Sequence, residues 1–312
     1  MVISVEKFSN LYSKLDNHLH HHPLPHQSEA LSASLQAFQS DVSNYMNQLW
    51  VDSRSGSEIL SLAWVLRCLG LLPAINKAFA KLLVDIDYPV GNWEVAAVDE
   101  YLSCSLSLLE LFNSIASSLA YLGQARLPLA HALSLVENSP SSAIEHLKPI
   151  QPRSLDKDFR KGETKEYGKE NIYSGKEWVI HEALIAMKSI GFWVCGIVLT
   201  GLCSDGKPYL EMRKSVGGLV FSSFVELDSS LYEIIMEKGA ILKEIKELND
   251  AVDCLLAALA TGKHSEAAEE LQGKLEISEK LLEELQKEVD HLFSEVLDGR
   301  NKMVDCLRDW KQ

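Results

Sequence analysis

Residues 190–203 read IGFWVCGIVLTGLC and contain no charged side chain. Such a run must be shielded from water, either in a protein core or in a lipid bilayer. Fourteen helical residues extend about 21 Å, short of the roughly 30 Å hydrocarbon layer. Extension back to Ala183 gives a sufficient length but adds Lys188, a charge near one end that can reach the membrane surface. The pattern favours a buried core helix, with Ala183 to Cys203 as the alternative membrane segment.

Most of the chain repeats apolar residues at three- and four-residue spacing, and few segments alternate as strands do. This predicts an all-α fold, an elongated multi-helix bundle in which nothing longer than KPYLEM needs a strand. Helices are predicted over residues 28–50, 57–86 with a kink at Pro73, 92–124 capped by Asn92, 127–137, a brief turn near 142–145, 174–203, 219–260 and 265 onward. Ser55 with Glu58, and Ser174 with Glu177, form capping boxes.

The last predicted helix has a heptad pattern. Its apolar positions are Leu275, Leu282, Leu285, Val289, Leu292, Val296, Met303 and Trp310, interrupted by Ser278 and Gly299. The preceding TGKHS turn offers Gly262 as a left-handed C-cap and Ser265 as an N-cap. We therefore predict a C-terminal antiparallel coiled-coil hairpin with an acidic outer face. Its heptads can pair within the chain or with a second chain.

Shifts in composition divide the chain into five parts. These are a flexible His-rich tail (1–26), an N-terminal helical bundle (27–147), a charged linker (148–174), the apolar central helix and its connection (175–218), and the C-terminal hairpin (219–312). Residues 27–312 are expected to form one continuous bundle. The linker has almost no aliphatic residues, which predicts a solvated loop, with a docking or phosphorylation segment as the alternative.

Charge and cysteine usage narrow the class of protein. The formal net charge of -14 opposes a nucleic-acid surface, which needs clustered Lys and Arg. Six cysteines without a CxxC pair are typical of reduced thiols in an intracellular protein. The first 26 residues lack a secretory apolar core and are poor in Arg, which argues against secretion and against plastid import. The expected location is the cytoplasm, with membrane association as the alternative.

The sequence contains two incomplete matches to ligand-binding motifs, one for phosphate and one for calcium. GETKEYGKE has one residue too many for a P-loop, and Glu170 stands where a hydroxyl must hold magnesium. DIDYPVGNWE places Pro89 and Val90 at the loop positions where an EF-hand needs an oxygen ligand and a glycine. Neither segment predicts a binding site.

Metal and catalytic motifs are also incomplete. HEALI supplies His181 and a glutamate, but Ile185 occupies the second ligand position of a zinc-protease motif. The histidine cluster in the tail has no cysteine or carboxylate ligands in a fixed scaffold, which favours adventitious metal binding (His18, His20, His21, His22 and His26). We therefore predict no catalytic, cofactor-binding or metal-binding residues, no cofactor, and a protein that is not an enzyme.

Four features carry a family resemblance. They are the SLAW run ending at Trp64, the DYPVGNW turn ending at Trp93, the VDEYLSCSLSLLELFNSI helix and the Glu-rich hairpin. Together they resemble the plant BYPASS family over most of the chain from Gln27 onward. The resemblance implies a plant-specific, non-enzymatic protein of development, linked to root-to-shoot signalling and stress responses, with protein partners. Trp64 and Trp93 are interpreted as core side chains, with an exposed partner anchor as the alternative.

Overall fold

The computed structural model describes residues 25–53, 59–153, 175–215 and 222–309. Within these ranges every regular element is helical, which confirms the predicted all-α fold. The helices are α1 (Pro25–Ser53), α2 (Leu62–Leu69), α3 (Leu71–Asp85), α4 (Val95–Leu135), α5 (Pro140–His146), α6 (Lys176–Cys203), α7 (Lys207–Ser215), α8 (Ser222–Lys238), α9 (Lys243–Thr261) and α10 (Ser265–Asp309), with a 3₁₀ turn at Val90–Asn92. The KPYLEM segment lies in α7 and is helical.

The prediction of one uninterrupted helix over 57–86 is wrong. The helix is interrupted at Gly70, between α2 and α3. Pro73 has no N–H to donate to the Leu69 carbonyl one turn earlier, so the interruption at Gly70 lies where a proline kink is expected. Ser61 caps α2 by accepting a hydrogen bond from the Trp64 backbone N–H at 3.1 Å. The capping box at residues 55–58 lies outside the described residues.

The predicted Asn92 cap and the separate helix over 127–137 are also wrong. Asn92 ends the 3₁₀ turn, and α4 continues for 41 residues through Pro128. Residues beyond the proline are buried in the bundle, including Leu129 and Ala132, both fully covered. This packing holds the last turns in place although the proline removes one backbone hydrogen bond. The brief turn predicted near 142–145 is confirmed as α5.

The helix predicted over 219–260 is divided into α8 and α9. Gly239 between them has a φ of +83°, a conformation that favours glycine and ends a helix. The Lys243 backbone N–H then donates to the carbonyl of Leu60 at 2.9 Å, which fixes the start of α9 beside the start of α2. At the next turn, the predicted left-handed C-cap at Gly262 is confirmed by its φ of +73°.

The central position belongs to α6, which packs against α1, α2, α3, α4 and α7. A single cluster of buried side chains runs from Leu35 in α1 to Met303 in α10. The long helix α10 packs along α4, α2 and α9. Core residues from the N-terminal and C-terminal halves of the chain are therefore buried together.

The first residues of the predicted linker are fixed to the bundle. Ile150 exchanges two hydrogen bonds with the Asn249 side chain, at 2.7 and 3.1 Å. The Arg153 backbone N–H donates to the Cys203 carbonyl at 3.1 Å. Residues 148–153 thus differ from the solvated loop that their composition predicts. The rest of that segment, 154–174, and its Ser174 cap lie outside the described residues.

Candidate functional sites on the central and C-terminal helices

The apolar run in α6 is buried. From Ile190 to Cys203 every residue is buried except Phe192, which is half-buried. By length and composition alone, α6, α4 and the segment that spans α2 and α3 could each cross a membrane. In α6, however, 83% of the most apolar 18-residue stretch is covered by the rest of the chain. The described structure therefore places α6 in the core of a bundle.

Three glycines let neighbouring elements approach α6 closely. A methyl group on Gly191 would meet Leu108 of α4, and one on Gly201 would lie 2.8 Å from the end of the Leu242 side chain. At Gly196 the same methyl would lie 2.9 Å from Cβ and Cγ of Met212 in α7. The space beside each glycine is therefore filled by a side chain from a neighbouring part of the chain.

A buried carboxylate fastens α8 to α6 and α7. Asp228 is fully buried and accepts hydrogen bonds from Trp193 Nε1 at 2.9 Å and the Tyr209 hydroxyl at 2.5 Å. Arg213 Nε donates to its second oxygen at 2.6 Å, which balances the negative charge. Burial and the bond to Asp228 raise the pKa of Tyr209, so this hydroxyl stays protonated and remains a donor.

The first turn of α7 is fixed by the same part of α6. Thr200 Oγ1 accepts from the Tyr209 backbone N–H at 2.9 Å. Arg213 also stacks on the Tyr232 ring of α8, at 4.7 Å from its centre. The site is a saturated structural network, because each polar atom of Asp228 already has a donor.

Titratable groups gather at the other end of α6. His181 Nδ1 lies 2.9 Å from Glu100 Oε2 of α4, and this hydrogen bond raises the pKa of His181. Burial, followed by hydrogen bonding to Glu94, raises the pKa of Glu177. Burial and the nearby Glu177 raise the pKa of Tyr88 to about 12. His181 from the incomplete zinc-protease motif therefore pairs with a carboxylate.

The described residues contain no group of three or more His, Cys, Asp or Glu side chains arranged to hold a metal ion. The histidines from His18 to His22 lie outside the described residues. One narrow cavity lies between α3, α4, α6 and α10, lined by apolar side chains such as Leu108, Phe112 and Met187. It brings together no convergent polar groups of the kind that fix a substrate.

The inner seam of α10 follows the predicted heptads. Its buried residues alternate at spacings of four and three: Leu271, Leu275, Ser278, Leu282, Leu285, Val289, Leu292, Val296, Gly299 and Met303. Ser278 and Gly299 occupy the seam positions where the apolar pattern is interrupted. Trp310 lies outside the described residues. Along its whole length the seam is covered by other helices of the same chain.

Two arginines hold α10 antiparallel to α4. Arg300 donates to the Leu102 carbonyl and to Ser105 Oγ, near the start of α4. Arg126, near its end, donates to the Leu275 carbonyl at 3.3 Å and lies 3.2 Å from Glu279. The main partner of the α10 seam is thus α4, and α9 covers the first part of α10.

The outward face of α10 is acidic. From residue 265 to residue 298 the sequence has eleven acidic residues and three lysines. Glu269, Glu276, Glu283 and Asp290 recur every seven residues and are all exposed. We call these four residues the outer acidic face. The seam is buried within the chain, whereas this face is a part of α10 that is exposed to solvent.

Trp64 and Trp93 are 0% and 2% exposed, which confirms the core interpretation and excludes a surface anchor for both in this structure. Trp93 packs edge to face between Phe79 and Tyr101, with ring centres 6.1 Å apart in each pair. The DYPVGNW turn that precedes α4 is closed by the Tyr88 hydroxyl, which donates to the Asn92 carbonyl at 2.6 Å.

Comparison with known proteins gives relatives along most of the chain. Protein BPS1, chloroplastic, of Arabidopsis thaliana is 24% identical over 307 residues, covering 90% of this chain and 85% of that protein. Over most of its length the chain is similar to the BYPASS and UPF0496 proteins. UPF0496 protein 4 of Oryza sativa, in both the indica and japonica subspecies, is 24% identical over 250 residues, or 73% of this chain. The match spans 54% of those rice proteins, about half their length.

No family model matches this chain, and no solved structure matches it. In this chain the described features that carried the resemblance position parts of the fold. The SLAW run provides the Ser61 cap and the buried Trp64, and the DYPVGNW turn connects α3 to α4. They position the helices of the core.

The sequence pattern did not identify the structural roles of Asp228, Arg126 and Arg300. Each is a charged residue within a helix, and charged residues on helices are usually solvent-exposed. Asp228 did carry a signal, because it is flanked by Leu227 and Leu231 on the apolar side of α8. An acidic residue on the apolar stripe of a helix indicates a buried partner.

Proposed function

We propose that this chain is a non-enzymatic regulatory protein of the BYPASS type. It acts in plant development, through root-to-shoot signalling, and in stress responses. It works by binding protein partners on the outer acidic face of α10. The observation that carries the proposal is the division of α10: its seam is buried within the chain, whereas its acidic face has no cover among the described residues.

Charge supports a protein partner for this face. An acidic surface speeds association with basic partners and repels nucleic acid. The α10 helix is also supported over its length by α4 and α9, so the face is presented on a rigid element. Binding to such a face requires no rearrangement of the bundle.

Charge reversal tests the proposal. Full-length protein with Glu276→Lys, Glu283→Lys and Asp290→Lys is used for proximity labelling in plant cells. We expect the set of labelled proteins to lose the partners seen with the unchanged chain. The matched control reverses three exposed charges around α4 and α5: Glu110→Lys, Glu137→Lys and Glu145→Lys. Equal labelling by all three proteins would contradict the proposal.

A membrane-associated regulator is the second candidate. It is favoured by the three segments that are long and apolar enough to cross a membrane, α6 above all. Carbonate extraction of full-length protein from plant membranes separates the two candidates. Complete release into the supernatant rules out integral insertion, whereas retention in the pellet supports it.

The location of the protein also has two alternatives, the plastid and the cytoplasm. The Arabidopsis relative is named chloroplastic, so import of this chain is a valid alternative to the cytoplasmic location that its N-terminal composition favours. Import of the full chain into isolated plastids, with protection from added protease, would establish the plastid location. Failure of import together with a cytosolic signal would support the cytoplasm.

A further inference from the structure

An apolar strip lies on α10 outside its seam. Ile277 is 60% exposed, and Leu281, one turn further, is half-buried. Gly273 lies one turn before Ile277, so the three residues share one flank of the helix. We call Gly273, Ile277 and Leu281 the Ile277 strip.

Gly273 has no role in the packing of the described chain. A methyl group built there would have no heavy atom within 4 Å. The glycines of α6 are different, because side chains of α4, α7 and the segment before α9 fill the space beside them. Glycine within a helix lowers its stability relative to alanine. Glycine at position 273 leaves room for a second backbone to approach α10.

Carboxylates border the strip. Glu270, Glu284 and Glu288 follow the same flank at helical spacing; Glu270 Oε1 lies 3.7 Å from Lys274 Nζ, and Glu284 and Glu288 are half-buried. A second copy of this chain, with a net charge of -14, would bring like charges to this border. A partner with Lys or Arg at these positions would neutralise it.

We propose that the Ile277 strip is the docking site for a basic amphipathic helix of a protein partner. Apolar side chains of that helix cover Ile277 and Leu281, and its backbone comes closest at Gly273. Its Lys or Arg side chains pair with Glu284 and Glu288. This mode of recognition uses the regular spacing of both helices. The inference rests on the proposed function of α10 as a partner-binding element.

The test uses a fluorescent 18-residue helical peptide of Leu and Lys, titrated with the full-length protein by anisotropy at low salt. We expect Ile277→Ser to weaken binding about tenfold, because it removes the central apolar contact. Gly273→Gln should weaken binding at least threefold while raising the thermal unfolding midpoint, because it blocks close approach but improves helix propensity. Opposite changes in binding and stability separate docking from misfolding.

Leu297→Ser is the matched control. Leu297 is 38% exposed on the same helix, about 200° around its axis from Ile277. It should leave peptide affinity unchanged. No binding to the unchanged chain, or equal loss in the Leu297 variant, would overturn the proposal. So would a dimer in sedimentation that Ile277→Ser dissociates, because the occupant would then be a second copy.

The two proposals fail separately. If Ile277→Ser and Gly273→Gln bind the peptide normally while reversal of the outer acidic face still removes labelled partners, the docking site is wrong and the function stands. If the face reversal also has no effect on labelling, the proposed function fails.

Discussion

Asp228 is the one acidic side chain among the fully buried polar residues that the structure describes. Its cost of burial is offset by three donors from two helices. Such a group is strongly favourable only while the whole set of partners is present. We therefore expect the attachment of α8 to depend on this single residue.

Asp228→Ala should lower the free energy of unfolding by about 3 kcal/mol, because it removes the side-chain acceptor of Trp193 Nε1 and the carboxylate partner of Arg213, while the Tyr209 hydroxyl keeps its hydrogen bond to the carbonyl of residue 228. Urea unfolding followed by circular dichroism measures the change. Asp253→Ala, at an exposed position of α9, should stay within about 0.5 kcal/mol. Equal stability of the two variants would show that the Asp228 contacts contribute nothing net.

Gly196 gives a second prediction for a single residue. Gly196→Ala should destabilise the protein by about 1–3 kcal/mol, because the new methyl would lie 2.9 Å from Met212 Cβ, which cannot move without α7. Gly201→Ala should cost less, since its close neighbour is the flexible end of Leu242. Gly123→Ala, with open space around it, should stabilise α4. Thermal unfolding gives the order, and a reversed order would contradict this packing.

The contact between α4 and α6 depends on pH through His181. Its pKa is raised from 6.5 in the folded state by Glu100, with a smaller contribution from Glu182, so its stabilisation is fully present below pH 6.5 and is lost as pH rises through the folded pKa. Glu177 acts in the same direction, because its pKa is also raised, here by burial and Glu94.

Stability should therefore fall between pH 6 and pH 8, by less than about 1 kcal/mol for a partly exposed pair. Urea midpoints at intervals of half a pH unit measure the slope. His181→Gln and Glu100→Gln should each flatten it, and the double variant should flatten it no further. A slope that is unchanged in both single variants would show that another group causes it.

Helix content was predictable from the sequence, whereas several helix ends were not. Three-to-four spacing specified most of the helical segments, and the Gly262 turn followed from glycine chemistry. Two predicted sets of helix bounds failed in opposite directions. The helix predicted to end at residue 124 continues as α4 through Pro128, where tertiary packing holds it. The helix predicted over 219–260 is interrupted at Gly239, where the chain turns. Both outcomes depend on contacts that a local pattern does not contain.

For the molecule as a whole, the heptads predicted a packed seam paired with the preceding helix or with a second chain, whereas α4 is its main partner and α9 covers its first part. The residues of α10 specify which side is buried, but not which other helix covers it. Arg126 and Arg300 set the antiparallel register with α4, and their role depends on atoms more than 140 residues away in sequence. The outer acidic face was predicted because charge density on a helix is visible locally.

The central claim is that α6 lies in the core of one bundle. The accessibility of the cysteine thiols tests the burial of α6 directly. Cys254 and Cys306 are exposed, whereas Cys68, Cys104, Cys195 and Cys203 are buried. Burial also raises the pKa of Cys195 to about 12, so little reactive thiolate forms there.

The decisive measurement is pulsed N-ethylmaleimide labelling of the native full-length protein in detergent-free buffer, read out by mass spectrometry at each cysteine. The structure predicts rapid labelling of Cys254 and Cys306, and labelling of Cys195 and Cys203 only after denaturation. Rapid labelling of Cys195 and Cys203 in the native protein would contradict the buried central helix.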